Sequence, residues 1–249
     1  MALLVDGSSP SVEELQRYEA GVIEMANTEG IDLGAKASIA REQIVTELIE
    51  LLNRNSDGQG QSVMGRVVLT EPLRRWLVMG ALAAVYGEGR LSQVSERYAG
   101  KWADFARLAG EAKQWLVRAG IGVAGAPLRR PGAPELTVLE GSAPAGSYFF
   151  RYTWAAVGGQ ESEAGDMAVV TLSAPGGVRL TPGAAPTGAV GWNVFAGEVE
   201  SELAMQNGAP IAIDEPWEWN SGNLDAGRPP SGGQAPDSYV RVPNVLLRG

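Results

Sequence analysis

The sequence predicts an α+β protein with several domains: an N-terminal bundle of about four helices, a β-sandwich and an extended C-terminal tail. Three observations predict it. Apolar residues recur at helical spacing before residue 120, short alternating runs follow residue 134, and most of the 33 glycines and 15 prolines lie after residue 120. The predicted boundaries are 1–121 for the helical domain, 122–134 for a Pro/Gly linker, 135–221 for the sandwich and 222–249 for the tail.

Four helices are predicted in the helical domain, at residues 11–28, 35–53, 71–86 and 91–119. The stretch YGEGRLS is predicted to be the turn before the last helix, and Gly120 is its expected C-cap. Gly80, Ala81 and Ala84 would let another helix approach closely. The last helix is about 40 Å long and carries a predicted buried stripe, widened by Trp115, at Leu91, Val94, Tyr98, Trp102, Phe105, Leu108, Ala112 and Leu116.

Seven short runs are predicted to be strands, at residues 135–140, 147–157, 166–173, 178–182, 191–197, 210–214 and 217–220. The second run places Tyr148, Phe150, Tyr152 and Trp154 at alternate positions, so they share one face. We predict that this face is buried, which stabilises the domain by ~2–3 kcal/mol for each aromatic side chain. Six or seven short strands separated by turn residues are typical of an immunoglobulin (Ig) or fibronectin type III (Fn3) sandwich.

The composition excludes several kinds of chemistry. The sequence has no cysteine and no histidine, which removes disulfides, thiol and imidazole catalysis, and nearly all zinc sites. We therefore expect no catalytic residue, no metal and no cofactor, and we predict that the protein is not an enzyme. The N-terminus lacks the pattern of a signal peptide, and no stretch approaches twenty apolar residues, so no membrane association is expected.

The charge is distributed in blocks. Net charge is −9, yet residues 54–130 hold 12 basic and 6 acidic side chains, whereas residues 1–53 hold 3 basic and 10 acidic ones. Residues 131–249 are again acidic. A dipolar molecule of this kind suits head-to-tail or ring association better than wrapping around a nucleic acid.

Three groups of residues allow more than one interpretation. The arginine-rich middle of the chain could contact phosphates, but charged helix flanks and salt bridges between subunits are the simpler explanation. Trp217 and Trp219 could form an exposed platform for a glycan, although core packing is favoured. Two acidic clusters could be a carboxylate pair or a calcium site, but solvated loop charge is favoured. These clusters are Glu161, Glu163 and Asp166, and Asp214, Glu215 and Glu218.

Two stretches of the helical half, VVLTEPLRRWLVMGALAAVYGEG and RYAGKWADFARLAGEAKQWLVRAGIG, resemble the head–tail connector (adaptor) proteins of tailed bacteriophages. The β half is similar to the Ig or Fn3 modules appended to phage virion proteins, through AGSYFFRYTWAAVGGQESEAG, VVTLSAPGGVRLT and GAVGWNVFAG. The module pattern is matched by Gly146, Tyr148, Phe150, Gly159, Glu161 and Ser162. A whole appended sandwich departs from the compact adaptor core.

The resemblance implies a structural virion protein at the head–tail junction, assembled in the host cytoplasm. It implies a homo-oligomeric ring of about twelve copies, contacts with the portal and with tail or neck proteins, and non-specific contact with DNA that passes through the ring. The residues expected to mediate assembly are Arg74, Arg75, Arg97, Lys101 and Arg107 on the helices, and Tyr239, Val240, Val242, Val245 and Leu246 in the tail.

The alternative is a tail or baseplate accessory protein whose Ig-like module binds carbohydrate or another host surface through Trp217 and Trp219. A carbohydrate-active enzyme that uses the acidic loops is the least favoured hypothesis. Ring size, the identity of the partners, the role of the Ig-like module and whether the arginines face DNA or protein are left open by the sequence.

Overall fold

A computed structural model of the protein describes residues 1–7, 9–54, 60–92 and 96–242. It confirms the predicted mixture of helix and sheet, with a helical N-terminal part followed by antiparallel sheets. The chain divides into two compact units. The helical unit contains Gly7–Val123 and the segment from Pro236 onward, and the β unit contains Met1–Asp6 and Ala124–Ala235.

Six α-helices are found among the described residues of the helical unit. They are α1 (Val12–Tyr18), α2 (Val22–Glu29), α3 (Leu33–Asn53), α4 (Gly60–Met64), α5 (Glu71–Ser92) and α6 (Ala99–Ala119). Two of them begin at side-chain caps. The hydroxyl of Ser11 accepts from the backbone N–H of Glu14 at 3.2 Å, and Asp32 accepts from that of Ala35 at 3.0 Å.

The helix boundaries differ from the prediction at three places. The predicted helix 11–28 is broken around Gly21, which separates α1 from α2. The polar loop after residue 54 contains the short helix α4. The predicted turn at 86–92 is the end of α5, and α6 begins at Ala99 instead of residue 91. Leu91 is consequently exposed, and Val94 lies outside the described residues.

Glycines in α5 serve helix packing at the position where the sequence predicted a turn. A Cβ at Gly87 would lie 3.2 Å from Trp102 Cδ1, and a Cβ at Gly89 would lie 3.2 Å from Tyr98 Cδ2. Because these glycines have no side chain, two aromatic rings pack directly against the backbone of α5. The helix therefore continues through glycines that cost about 1 kcal/mol each in helix propensity.

Helix α5 lies at the centre of the helical unit and packs against both α3 and α6. Its buried residues include Val78, Leu82 and Tyr86. A Cβ at Gly80 would lie 2.9 Å from Ile44 Cδ1, so α3 is the helix that approaches the predicted small-residue face. The shared core with α1 and α2 is completed by Leu15, Val22 and other apolar side chains.

Nine strands are described, and all pair antiparallel. They are β1 (Ile121–Val123), β2 (Glu135–Ala143), β3 (Gly146–Ala156), β4 (Ala168–Leu172), β5 (Gly176–Thr181), β6 (Ala189–Gly197), β7 (Ala204–Met205), β8 (Trp217–Trp219) and β9 (Ser238–Val240). In the β unit, one sheet has the order β2-β5-β8 and the other has the order β4-β3-β6-β7. The predicted strand at 210–214 is reduced to one bridge between Ile211 and Trp192.

The two sheets of the β unit share one apolar core. Tyr148, Phe150, Tyr152 and Trp154 are almost fully buried in it, which confirms the prediction from their alternation along β3. Trp154 lies opposite Trp192 on β6. The three-stranded sheet contributes Val178, Leu180 and Trp219 to the same core.

The predicted linker and tail are packed segments within the described residues, so the predicted domain boundaries are revised. Strand β1 pairs with β9 in the helical unit, with Ile121 opposite Val240. In the β unit, Leu128 is buried, and its backbone N–H donates to Gln234 Oε1 at 2.9 Å. These backbone groups bond to distant parts of the chain, which local composition does not reveal. The N-terminal amine of Met1 likewise donates to the carbonyl of Gly233 at 2.8 Å.

Candidate assembly surface

Several cations of the helical unit form ion pairs that join different helices. Arg74 of α5 binds Glu14 of α1, with 2.5 Å from Nε to Oε1, and Lys101 of α6 binds Glu19. Two further pairs join Lys113 to Glu47 and Lys36 to Glu88. Each pair is partly exposed and contributes about 0.2–1 kcal/mol at most. Two of the predicted assembly residues, Arg74 and Lys101, are therefore neutralised within the unit.

The other three predicted cations differ from one another. Arg107 pairs along α6 with Glu111 at 2.6 Å and with Asp104 at 3.8 Å. The guanidinium of Arg97 lies 5.3 Å from the centre of the Tyr98 ring. Arg75 is half-buried, and neither Arg75 nor Arg97 has an ion pair in the described part of the chain. The structure does not gather the five cations into one basic site.

The predicted tail residues are only partly available to a partner. Val240 is half-buried and pairs with Ile121, and Val242 is buried. Tyr239 remains 54% exposed. Val245 and Leu246 lie outside the described residues.

Helix α6 exposes two indole side chains that the sequence placed in its buried stripe. Phe105, Ala112 and Leu116 are buried, as predicted, but Trp102 is 37% exposed and Trp115 is 47% exposed. Trp115 lies one residue from Leu116, and therefore about 100° around the helix from the buried stripe. The periodicity gave the direction of the stripe correctly but overestimated its width.

An open groove lies between α3 and α6, with α5 as its floor. We call it the α3–α6 groove, and its volume is about 270 Å³. Small residues of α5 form the floor, and Trp76 of α5 and Trp102 of α6 also line the groove. The lining residues are Ala40, Gln43, Ile44, Glu47, Trp76, Gly80, Ala83, Ala84, Trp102 and Ala109.

Cations partly cover the aromatic rings of the groove. The ammonium of Lys113 lies 5.4 Å from the centre of the Trp76 ring while it pairs with Glu47. The guanidinium of Arg90 lies 4.6 Å from the centre of the Trp102 ring. Such contacts contribute about 0.5–1 kcal/mol each at exposed sites. The groove therefore has an apolar floor and a charged rim, and only the small residues of its floor gave a signal in the sequence.

The opposite flank of α6 packs through an aromatic cluster. The Tyr86 ring stacks on Phe105 at 5.4 Å and meets Tyr98 edge-on at 5.9 Å. Burial, and secondarily the Glu19 carboxylate, raises the pKa of Tyr86 to about 12. Burial also raises the pKa of Tyr98, whose hydroxyl donates to Glu29 at 3.0 Å.

The two tryptophans predicted as an alternative glycan platform lie at the core of the β unit. Trp219 is 7% exposed, and its ring centre lies 4.7 Å from that of Tyr148. Trp217 packs against the same core, 6.2 Å from Phe150. Because both point inward on β8, they present no exposed pair to a sugar, and the favoured interpretation of core packing agrees with their placement.

Members of the acidic clusters form structural ion pairs. Buried Glu161 binds Arg228 and accepts from Asn193 Nδ2 at 2.6 Å. Glu218 binds Arg179, and this hydrogen bond, with another from Asn220, lowers the pKa of its carboxyl. Asp166 similarly binds Arg130 at 2.7 Å. Within the described ranges, no three acidic side chains are grouped so that they could hold a metal ion.

No protein-family model matches the sequence, and a search of curated proteins returns no match. Over the described residues, none of the helices combines the length and the apolar character needed to cross a bilayer.

Proposed function

We propose that the protein is a structural, non-enzymatic subunit of a tailed-phage virion. Copies form a ring at the head–tail junction and join the portal to the tail. The observation that carries this proposal is the exposed surface of α6, where Trp102 lines an open groove and Trp115 is exposed on the opposite flank. Exposed aromatic side chains next to a groove are typical of protein interaction sites.

The ion pairs of the helical unit favour protein contacts over DNA contacts. Arg74, Lys101 and Lys113 each have a carboxylate partner on another part of the unit, and Arg107 has two on its own helix. A cation that is already paired must give up its partner before it can neutralise a phosphate. We therefore assign the helical surface to neighbouring subunits and to the portal, with DNA contact as a minor, non-specific contribution.

We further propose that the β unit is an Ig- or Fn3-like module that contacts neck or tail proteins. The order β4-β3-β6-β7 corresponds to the C′CFG sheet of such modules, and β2-β5 corresponds to their B and E strands. Trp154, buried on the strand in the place of C, supports the correspondence. Strand β8 departs from it, because it lies beside β5 but comes late in the chain.

The segment after Pro236 is proposed to extend toward a neighbouring protein. Exposed Tyr239 lies on a strand whose partner β1 has only three residues, so this small sheet offers a short edge. A strand of a partner could add to that edge through backbone hydrogen bonds.

Electron microscopy of the full-length chain mixed with portal rings from the same genome tests the function. The proposal expects a closed ring of this chain stacked on one end of the portal, with the β unit as a peripheral density. Portal rings imaged alone provide the control. If the two proteins remain separate at micromolar concentrations and the chain is absent from purified virions, the proposed function is wrong.

A further inference from the structure

We propose that copies of this chain associate head to tail, and that Trp115 of one copy inserts into the α3–α6 groove of the next. The inference rests on the proposed ring and identifies the surfaces that would build it. It assigns a partner, a second copy of this chain, to two features of the helical unit that are otherwise uncovered.

The two features lie on opposite flanks of α6. Lys113 marks the groove flank because it binds Glu47 of α3, whereas Lys101 marks the other flank because it binds Glu19. At 3.6 residues per turn, Trp115 lies about 40° from Lys101 and about 160° from Lys113 around the helix. Trp115, which we call the knob, lies on the flank opposite the groove, so the two cannot meet within one subunit. They form a heterologous contact, which generates a ring when its rotation closes.

The groove has the size for an indole ring. Its volume is about 270 Å³, whereas an apolar cavity of about 150 Å³ is enough to bind benzene. Ala83 and Ala84 have only methyl side chains at the floor, and Ile44 packs over Gly80, so the incoming ring would contact methyl groups. Trp115 would lose its remaining exposure of 47% in that contact.

The charges beside the knob and the groove are complementary. Arg118 follows Trp115 by one turn of α6 and is exposed, and Glu50 is exposed on α3 one turn beyond Glu47. Neither Arg118 nor Glu50 has an ion-pair partner within the described residues. The pairing of a basic α6 with an acidic α3 follows the charge blocks of the sequence, in which residues 1–53 are acidic and residues 54–130 are basic.

The test measures self-association of the full-length chain by sedimentation velocity over a series of concentrations and salt concentrations. Three variants are compared: Trp115→Ala removes the knob, Ala83→Gln fills the groove, and Tyr18→Ala removes an aromatic side chain of similar exposure, 46%, from α1. The knob variant and the groove variant are each expected to raise the dissociation constant of self-association about tenfold or more, because removal of an anchor residue usually has an effect of this size. The control variant is expected to associate like wild type. Added salt is expected to weaken association of the wild-type chain, because it screens the charges of Arg118 and Glu50.

Mixing provides the decisive comparison. Trp115→Ala keeps an intact groove and Ala83→Gln keeps an intact knob, so an equimolar mixture is expected to form dimers that do not grow further. If circular dichroism shows that Ala83→Gln is misfolded, Ala109→Gln on the α6 wall of the groove replaces it.

Three results would each overturn the inference. One is a wild-type chain that stays monomeric at all accessible concentrations. The second is association of the Trp115→Ala variant as strong as that of wild type, and the third is the absence of dimers in the mixture of variants. If the variants still assemble into unchanged rings on portals, the proposed contact between knob and groove is wrong while the proposed function stands. If the variants behave as expected but no portal binding occurs, only the proposed function fails.

Discussion

Replacing Gly141 by alanine tests the packing of the β unit. A Cβ at this position in β2 would lie 2.5 Å from the carbonyl oxygen of Gly176 and 2.6 Å from that of Asn220. Both obstacles are backbone atoms, so no side chain can rotate away, and the strands must separate. Separation would also weaken the hydrogen bond of 2.8 Å from the N–H of Ser142 to the same Asn220 carbonyl. Overpacking costs about 1–3 kcal/mol, and the lost bond about 1 kcal/mol.

We expect Gly141→Ala to lower the free energy of unfolding of the β unit by about 2–4 kcal/mol. The matched control is Gly208→Ala, because a Cβ at Gly208 would meet nothing within 4 Å. The control variant should stay within about 1 kcal/mol of wild type, on the stabilising side. Differential scanning calorimetry of the full-length variants gives the comparison, with an expected drop of roughly 10 °C in the transition of the β unit. Equal transition temperatures for the two variants would refute the reasoning.

Three further predictions concern single side chains. Gly89→Ala should be about 1–2 kcal/mol less stable than Gly110→Ala in urea unfolding, since its Cβ meets the Tyr98 ring at 3.2 Å and that of Gly110 meets nothing. Tyr86, with its pKa raised to about 12, keeps its proton in the folded state when the unfolded chain has lost it, so stability falls as pH rises from 10 to 12. Tyr86→Phe should make that fall shallower in urea midpoints measured against pH. Trp219→Ala should cost about 3–5 kcal/mol in the same assay at neutral pH, because this side chain is buried. An unchanged midpoint would contradict its placement in the core.

Local periodicity predicted the parts of the fold that depend on near neighbours. The aromatic alternation of β3 identified a buried strand face, since side chains two residues apart share a face whatever they pack against. Helix α3 was predicted within two residues of its observed ends. The end of α5 was missed because Gly87 and Gly89 suggest a turn locally, and only the rings of Tyr98 and Trp102 explain them in a helix.

The assembly surface could be predicted only in part for a related reason. The sequence indicates that α6 is amphipathic, but the exposure of Trp115 depends on which helices cover its flanks. The ion pairs of Arg74 with Glu14 and of Lys113 with Glu47 join residues 60 and 66 positions apart. No local pattern distinguishes these cations from ones that face a partner. The groove likewise requires three helices to be placed before it can be seen.

Cysteine cross-linking tests the central claim, head-to-tail assembly of this chain, most directly. The natural sequence has no cysteine, so any disulfide reports only on introduced residues. The double variants Arg118→Cys/Glu50→Cys and Arg118→Cys/Gln43→Cys place one thiol beside the knob and one on the rim of the groove, and the single variants serve as controls. Mild oxidation of either double variant should give a ladder of covalent oligomers that ends at one closed species, with no ladder from the single variants. Double variants that remain monomeric after oxidation, or that give only dimers, would contradict the account.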